Sequence, residues 1–338
     1  MKKKVFIAAA AALSFLHSNA QTDYCSYVDP RIGSGGHGHV FVGANRPFGM
    51  VQAGPTSVPQ QWDWCSGYHE SDSTVIGFSH THFSGTGIGD LFDITVMPVT
   101  GNVTYARGSV DVPESGLWSY ADRRHETVRP GYYSVPLERY GIVAEMTATK
   151  RAAMHRYTFP QSDSAAVVFD LANGGCWDRA TQTHMQAIGD RRIEGYRFSR
   201  GWAPDQKVYF AAEFSRPFDS FTLHADSLYG RASFTTSDGE QILLKVALSP
   251  VSAEGARRNL EAEMNHWDFG RLCSEAYDDW NSELGRIKAV STSHDMLVKF
   301  YTSLYHTMFA PVLNSDVDGY YRGADKKTHH KDSDNYTL

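Results

Sequence analysis

Residues 142–159, IVAEMTATKRAAMHRYTF, contain the pattern that decides the fold. Apolar side chains recur at every second position through Ile142, Ala144, Met146 and Ala148, which is the period of a half-buried β-strand. Further β-rich runs at 165–171, 208–214 and 241–248 are separated by turn signals such as Asn173-Gly174-Gly175. With no long helices between these runs, residues 21–250 are predicted to form a large antiparallel β-sandwich.

The pattern changes after Pro250. Helix formers dominate 252–284, with a break near His266-Trp267-Asp268, and apolar residues then recur every fourth position from Leu272 to Leu284. This spacing predicts one apolar helical stripe. A further amphipathic helix is predicted over 295–309, ahead of Pro311. The chain is therefore mainly β at first and helical afterwards.

The first twenty residues have the pattern of a signal peptide. Three lysines at positions 2–4 precede a short apolar run, and Ser18-Asn19-Ala20 places small residues before Gln21. Such segments direct export and are removed. We therefore expect an exported mature chain, periplasmic or extracellular, with no membrane span.

Composition limits the function classes. The chain has 338 residues, a formal net charge of −6 and a pI near 6.2, which argues against a nucleic-acid-binding protein. Its hydrophobic content of 41% permits a substantial core. Four cysteines, Cys25, Cys65, Cys176 and Cys273, could form two disulfides in an oxidising compartment, but the sequence does not choose among the three pairings.

Residues 62–87, WDWCSGYHESDSTVIGFSHTHFSGTG, are the main candidate for a functional site. In an extended backbone Trp62 and Trp64 would present both indoles on one face. Indole faces stack on sugar rings, and neighbouring hydroxyl and amide groups can bind sugar hydroxyls. The alternative is that one or both indoles fill the sandwich core.

Histidines are concentrated in the same part of the chain, at positions 37, 39, 69, 80 and 82. His80 and His82 would share one face of a strand, a spacing seen in zinc sites. No spacing fixes a third ligand, so hydrogen-bonding roles in a polar pocket are favoured over metal binding. Among the carboxylates, no pair has a diagnostic spacing, and Asp316-Val317-Asp318-Gly319 is interpreted as a turn rather than a calcium loop.

Several of these segments together resemble the N-terminal part of glycoside hydrolase family 92. The segments are VDPRIG at 28–33, GGHGH at 35–39, PFGMVQ at 47–52, WCSGY at 64–68, GFSHTHFSGTG at 77–87, PGYYSV at 130–135, FY at 300–301 with YHTM at 305–308, and finally 316–323. They are spread over nearly the whole mature chain.

The resemblance implies a calcium-dependent exo-α-mannosidase that inverts the anomeric configuration and acts on mannose-containing glycans. It implies a β-sandwich at 21–250, a helical linker at 251–288, and the beginning of an (α/α)6 catalytic barrel at 289–338. The catalytic carboxylates and most calcium ligands are then expected beyond residue 338, so this chain alone is expected to be inactive. The residues expected to bind substrate are Trp62, Trp64, Cys65, His37, His39, His80, His82, Arg322 and Asp325.

Two other function classes stay open at this point. A non-catalytic carbohydrate-binding β-sandwich would use the aromatic residues without hydrolysis. A zinc hydrolase would use the histidine cluster and would contain stoichiometric zinc.

Overall fold

A computed structural model describes residues 22–58, 61–109, 111–112 and 115–337. The predicted signal peptide lies outside the described residues. The described chain is a two-sheet antiparallel sandwich followed by three helices. The predicted fold class, mainly β and then helical, is therefore confirmed. No helix in these ranges is long and apolar enough to cross a membrane.

The strands between residues 44 and 249 are short at first and long in the middle of the chain, and β3 and β6 pair with each other outside the two large sheets. The first eleven are β1 (Ala44–Asn45), β2 (Gln52–Thr56), β3 (Thr74–Val75), β4 (Gly77–Ser79), β5 (Thr95–Val99), β6 (Ser119–Tyr120), β7 (Thr127–Arg129), β8 (Tyr132–Leu137), β9 (Ile142–Ala148), β10 (Ala152–Phe159) and β11 (Ser162–Asp170). The next six are β12 (Arg179–Ile188), β13 (Arg192–Arg200), β14 (Gln206–Phe214), β15 (Ser220–His224), β16 (Tyr229–Thr236) and β17 (Glu240–Ser249).

Two large sheets enclose the core. One has seven strands in the order β1-β2-β4-β5-β11-β16-β15, and the other has eight in the order β12-β13-β14-β17-β10-β9-β8-β7. The alternation quoted at the outset becomes the β9–β10 hairpin, in which Ala153 lies opposite Ala148. Phe169 of one sheet stacks on Phe210 of the other with ring centroids 6.0 Å apart. Burial of these inward-facing side chains is what holds the sheets together.

Three helices follow, α1 (Ala253–Glu263), α2 (Phe269–Leu284) and α3 (His294–His306). Ser252 caps α1 by accepting from the Gly255 N–H, and Asp268 caps α2 by accepting from the Arg271 N–H. The predicted stripe Leu272, Ala276, Trp280 and Leu284 is buried along its length.

The predicted helix over 295–309 is too long at its C-terminal end. The Met308 and Phe309 N–H groups bond to the carbonyls three residues back, at Tyr305 and His306, so the chain closes in tight turns rather than a further α-turn. Beyond α3 lie two hairpins, formed by β18 (Val312–Leu313) with β21 (Tyr336–Thr337) and by β19 (Tyr320–Arg322) with β20 (Thr328–His330). The segment at 316–319 is a turn, as predicted, closed by the Gly319 N–H on the Asp316 carbonyl at 2.9 Å.

All four cysteines lie in the described part of the chain, and each has a free thiol. None of the three possible disulfide pairings is formed.

Candidate functional site

The backbone at the two tryptophans is a single turn of 3-10 helix, Trp62–Trp64. The predicted extended backbone is therefore wrong at this point. Because a 3-10 helix turns about 120° per residue, the two indoles separate: Trp62 is 50% exposed, whereas Trp64 is only 9% exposed. Only one of the pair faces solvent.

Trp64 belongs to the interior. Its indole N–H donates to Asp72 Oδ2 at 2.6 Å, and its ring stacks on His69 with centroids 4.4 Å apart. Cys65 is fully buried, with its thiol 2.6 Å from the Trp62 carbonyl oxygen. Burial raises the pKa of the Cys65 thiol to about 11, which keeps it protonated at neutral pH.

Trp62 lies on the surface in a fixed position. Its indole N–H donates to the Gly87 carbonyl at 2.9 Å. Gly87 is required there, because a Cβ on this residue would lie 2.4 Å from the indole ring. The His39 ring also contacts the indole in an edge-to-face arrangement, with a centroid distance of 4.3 Å.

Beside Trp62, one carboxylate joins two histidines. Asp63 Oδ1 lies 2.6 Å from His37 Nδ1 and 3.1 Å from His39 Nε2. The hydrogen bond from His37 is the main reason that the pKa of Asp63 is lowered. His39 is buried and His37 is exposed, so the outer face of this trio is open to solvent. Trp62, His37, His39 and Asp63 together are the Trp62 cluster.

His80 and His82 are placed differently, inside the sandwich. His80 is fully buried, with Nδ1 2.6 Å from the Ile94 carbonyl and Nε2 2.9 Å from His155 Nε2. His82 Nδ1 lies 2.8 Å from the Gln52 carbonyl, and its ring packs between Phe41 and Phe92. Burial lowers the pKa of His80 to about 4 and that of His82 to about 3, so both are neutral hydrogen-bonding residues at neutral pH.

A cleft of about 900 Å³ begins next to the Trp62 cluster, at Gly87 and Ile88. Its walls come from the paired ends of β12 and β13 and from the turns beside them. The indoles of Trp177 and Trp202 and the guanidinium groups of Arg179 and Arg200 line it.

Comparison with known proteins places the chain in a family. The glycosyl hydrolase family 92 N-terminal domain matches residues 27–249, and the family 92 catalytic domain matches residues 255–338. The chain belongs to glycoside hydrolase family 92.

Two relatives illustrate the match. A family 92 α-mannosidase from Bacteroides thetaiotaomicron, also solved in complex with mannoimidazole, is 33% identical with a TM-score of 0.88, over 93% of this chain and 45% of that one. A secreted glycosidase from Arthroderma benhamiae is 26% identical over 86% of this chain and 42% of its own length. The family 92 chain described here thus spans less than half the length of these relatives.

The calcium implied by the family resemblance does not fit the one candidate metal-binding group among the described residues. Within the described ranges, one group of histidine, cysteine and acidic side chains is close enough to hold a metal ion, namely His37, His39 and Asp63. It offers two imidazole nitrogens and one carboxylate, whereas calcium takes six to eight oxygen ligands. His37, His39 and Asp63 are therefore not a calcium site.

The two C-terminal candidates lie on the β19–β20 hairpin of this family 92 chain. Arg322 pairs with Asp205 at 2.7 Å, and Asp325 Oδ1 lies 2.8 Å from His329 Nε2. Among the described residues, no hydrogen bond or ion pair joins this hairpin to the Trp62 cluster. The structure thus brings Trp62, His37 and His39 together, and it pairs Arg322 with Asp205 and Asp325 with His329 instead.

Sequence reasoning did not single out Asp63 or the cleft. In the sequence, Asp63 is only a neighbour of the two tryptophans. Its role depends on the fold, which brings His37 and His39 next to it. One sequence feature could have indicated the cleft, namely the tryptophan in Gly201-Trp202-Ala203-Pro204. This segment has the composition of a turn, and an indole in a turn does not pack into the core.

Proposed function

We propose that this chain supplies the sandwich wall of the mannose site in an exported family 92 exo-α-mannosidase, which releases terminal mannose from glycans. The observation that carries the proposal is the half-exposed Trp62 held beside the open His37–Asp63–His39 trio. An indole presents an apolar face to the C–H face of a sugar ring, and the trio offers polar atoms for its hydroxyl groups. The likeness to an α-mannosidase also solved with mannoimidazole supports mannose as the sugar.

The proposed reaction is a single displacement with inversion. One carboxylic acid protonates the leaving oxygen, while a second carboxylate activates a water on the opposite face of the sugar. Asp63 is poorly suited to either role, because the hydrogen bond from His37, with a further one from His39, lowers its pKa. A carboxyl group with a low pKa is unprotonated at neutral pH and is a weak base. The acid and the base, together with most ligands of the calcium that the resemblance implies, are proposed to come from residues beyond 338.

Residues 1–338 alone are therefore proposed to be inactive. The test compares mannose release from an α-mannoside by the purified 338-residue chain and by a full-length family 92 α-mannosidase. Release by the full-length enzyme only is the expected result. Sustained release by the pure 338-residue chain would contradict the assignment of the acid and base to residues beyond it.

The role of Trp62 is tested in the complete product of the gene, read past codon 338. Trp62→Ala is expected to lower kcat/KM for an α-mannoside by about 10- to 100-fold, because a stacking surface for the sugar is lost. Trp62→Phe should restore part of the loss. Tyr120→Ala removes another exposed aromatic side chain, on β6, and serves as the control. Equal effects of Trp62→Ala and Tyr120→Ala would remove Trp62 from the site.

The second candidate is a carbohydrate-binding sandwich without catalysis, which the exposed indoles of Trp62, Trp177 and Trp202 favour. Calorimetry of the 338-residue chain with methyl α-mannoside separates the two. Measurable binding together with a stop codon at 339 would support the binding module. An open reading frame that continues and encodes active enzyme would support the mannosidase.

A further inference from the structure

The cleft beside the Trp62 cluster has two exposed indoles at its rim. Trp177 is 47% exposed and Trp202 is 75% exposed, although tryptophan is usually well buried. Both line the same space of about 900 Å³. A pair of exposed indoles around one cleft is suited to planar or ring-shaped ligands such as sugars.

Buried charges hold the walls of this cleft in place. Asp90, itself almost fully buried, accepts from the Trp202 N–H at 2.9 Å and from the Ala203 N–H at 2.8 Å. Beneath the strands, the fully buried Arg197 forms ion pairs with Asp93 and Asp178. Because these contacts fix the turn and the strand ends, the cleft is formed before a ligand arrives.

The floor carries two positive charges side by side. Arg179 of β12 and Arg200 of β13 are directly opposite each other in the sheet, so their side chains leave the same face. Both are exposed, and within the described ranges neither forms an ion pair. Among the residues that the structure describes, no carboxylate lines the cleft. Like charges in directly opposed positions repel each other, and an anion bound between them would remove that repulsion.

We propose that this cleft binds a glycan segment that carries an anionic substituent, such as a phosphate ester, a sulfate ester or a carboxylate. The guanidinium groups of Arg179 and Arg200 bind the anion, and the indoles of Trp177 and Trp202 contact the sugar rings. Guanidinium groups match the geometry of such oxyanions through paired N–H donors. With a net charge of −6 on the chain, a nucleic acid is not the expected polyanion.

This site goes beyond the proposed mannosidase, because binding here requires neither hydrolysis nor the catalytic carboxylates. The two sites nevertheless adjoin, since Gly87 lines the cleft and accepts the Trp62 indole N–H. A glycan bound in the cleft therefore lies next to the Trp62 cluster.

The test is calorimetry on the 338-residue chain with four sugars that differ only at C6. They are methyl α-mannoside, its 6-phosphate, its 6-sulfate and the 6-carboxylate, and inorganic phosphate is the fifth probe. At least one anionic sugar is expected to bind 10-fold or more tightly than the neutral sugar, and the ranking identifies the substituent. The preference should shrink as salt rises from about 50 to about 300 mM, because screening weakens charge pairs.

Variants separate the two parts of the site. Arg179→Gln combined with Arg200→Gln should abolish the preference for the anionic sugar and leave binding of the neutral sugar unchanged. Trp177→Ala combined with Trp202→Ala should weaken all four sugars and spare inorganic phosphate. The control is Arg192→Gln at the other end of β13, where the arginine faces Glu213 instead.

Three results would overturn the proposal. Equal affinity for neutral and anionic sugars would remove the anion site. An effect of Arg192→Gln equal to that of the double arginine variant would indicate general electrostatics instead of a site. If inorganic phosphate bound as tightly as the sugar phosphate, the cleft would be an anion site to which the sugar rings contribute no affinity.

Discussion

At the scale of single residues, His80 and His155 form a buried chain of neutral hydrogen bonds. The Tyr157 hydroxyl donates to His155 Nδ1, His155 Nε2–H donates to His80 Nε2, and His80 Nδ1–H donates to the Ile94 carbonyl. This is the one direction in which neutral rings satisfy every ring nitrogen of the chain. Burial lowers the pKa of His155 well below its usual value, as it does for His80. The hydrogen bond between the His80 and His155 rings therefore stabilises the fold only while both histidines are uncharged.

The buried histidines make stability depend on pH in the acid range. His82 has a pKa near 6.5 when unfolded and about 3 when folded. Between these values the unfolded chain binds a proton that the folded chain does not, so the free energy of unfolding falls as the pH drops below about 6.5. His82→Asn keeps a donor for the Gln52 carbonyl but does not titrate there. Between pH 7 and pH 5, this variant should lose about 2 kcal/mol less stability than the parent chain.

The measurement is urea unfolding of the parent and His82→Asn chains at both pH values. His125→Asn is the control, because His125 is exposed and its ring bonds to the Asp122 carboxylate. The control should retain the pH dependence of the parent chain. An identical loss in all three proteins would mean that His82 is not kept neutral by burial.

At the scale of elements, two helical glycines should respond to alanine in opposite ways. A Cβ at Gly255 in α1 would lie 2.2 Å from Asp316 Oδ2, a carboxylate held by Ser249 and Asn259. At Gly270 in α2 the nearest atom to a Cβ is Asp268 Oδ1, at 3.6 Å. Gly255→Ala should therefore cost about 1–3 kcal/mol through overpacking. Gly270→Ala should add about 0.5–1 kcal/mol by favouring the helix.

Urea midpoints of the two variants check this directly, with each protein serving as the control for the other. Stabilisation by both substitutions would show that the Asp316 carboxylate can move aside.

Periodicity predicted the elements that are long and regularly buried. The alternation at 142–159 became β9 and β10, and the four-residue spacing from Leu272 became the buried stripe of α2. The Trp62–Trp64 turn could not be predicted in this way, because local hydrogen bonds and not burial period set its shape. The cleft also escaped prediction, since Trp177 and Trp202 come from turns that only the pairing of β12 with β13 brings together.

At the scale of the whole molecule, the helices complete the sandwich. One apolar cluster joins α1 and α2 to the eight-stranded sheet. It contains Leu260 and Met264 at the end of α1, Phe269 and Leu272 of α2, and sheet side chains such as Met154. The Lys245 ammonium on β17 donates to the Met264 carbonyl at 2.7 Å and lies over the Trp267 ring. Removing this cover would expose apolar sheet surface to water, so α1 and α2 should unfold together with the sheet.

Leu260→Ala tests whether the sheet and the helices unfold as one cooperative unit. The leucine is 4% exposed, and its truncation should lower the free energy of unfolding by about 3 kcal/mol. If sheet and helices form one cooperative unit, far-UV circular dichroism and tryptophan fluorescence will shift to lower urea together, still in a single transition. Glu261→Ala, at an exposed position one residue away, should leave both curves nearly unchanged. A separate early transition in either probe would instead mean that the helices unfold independently of the sandwich.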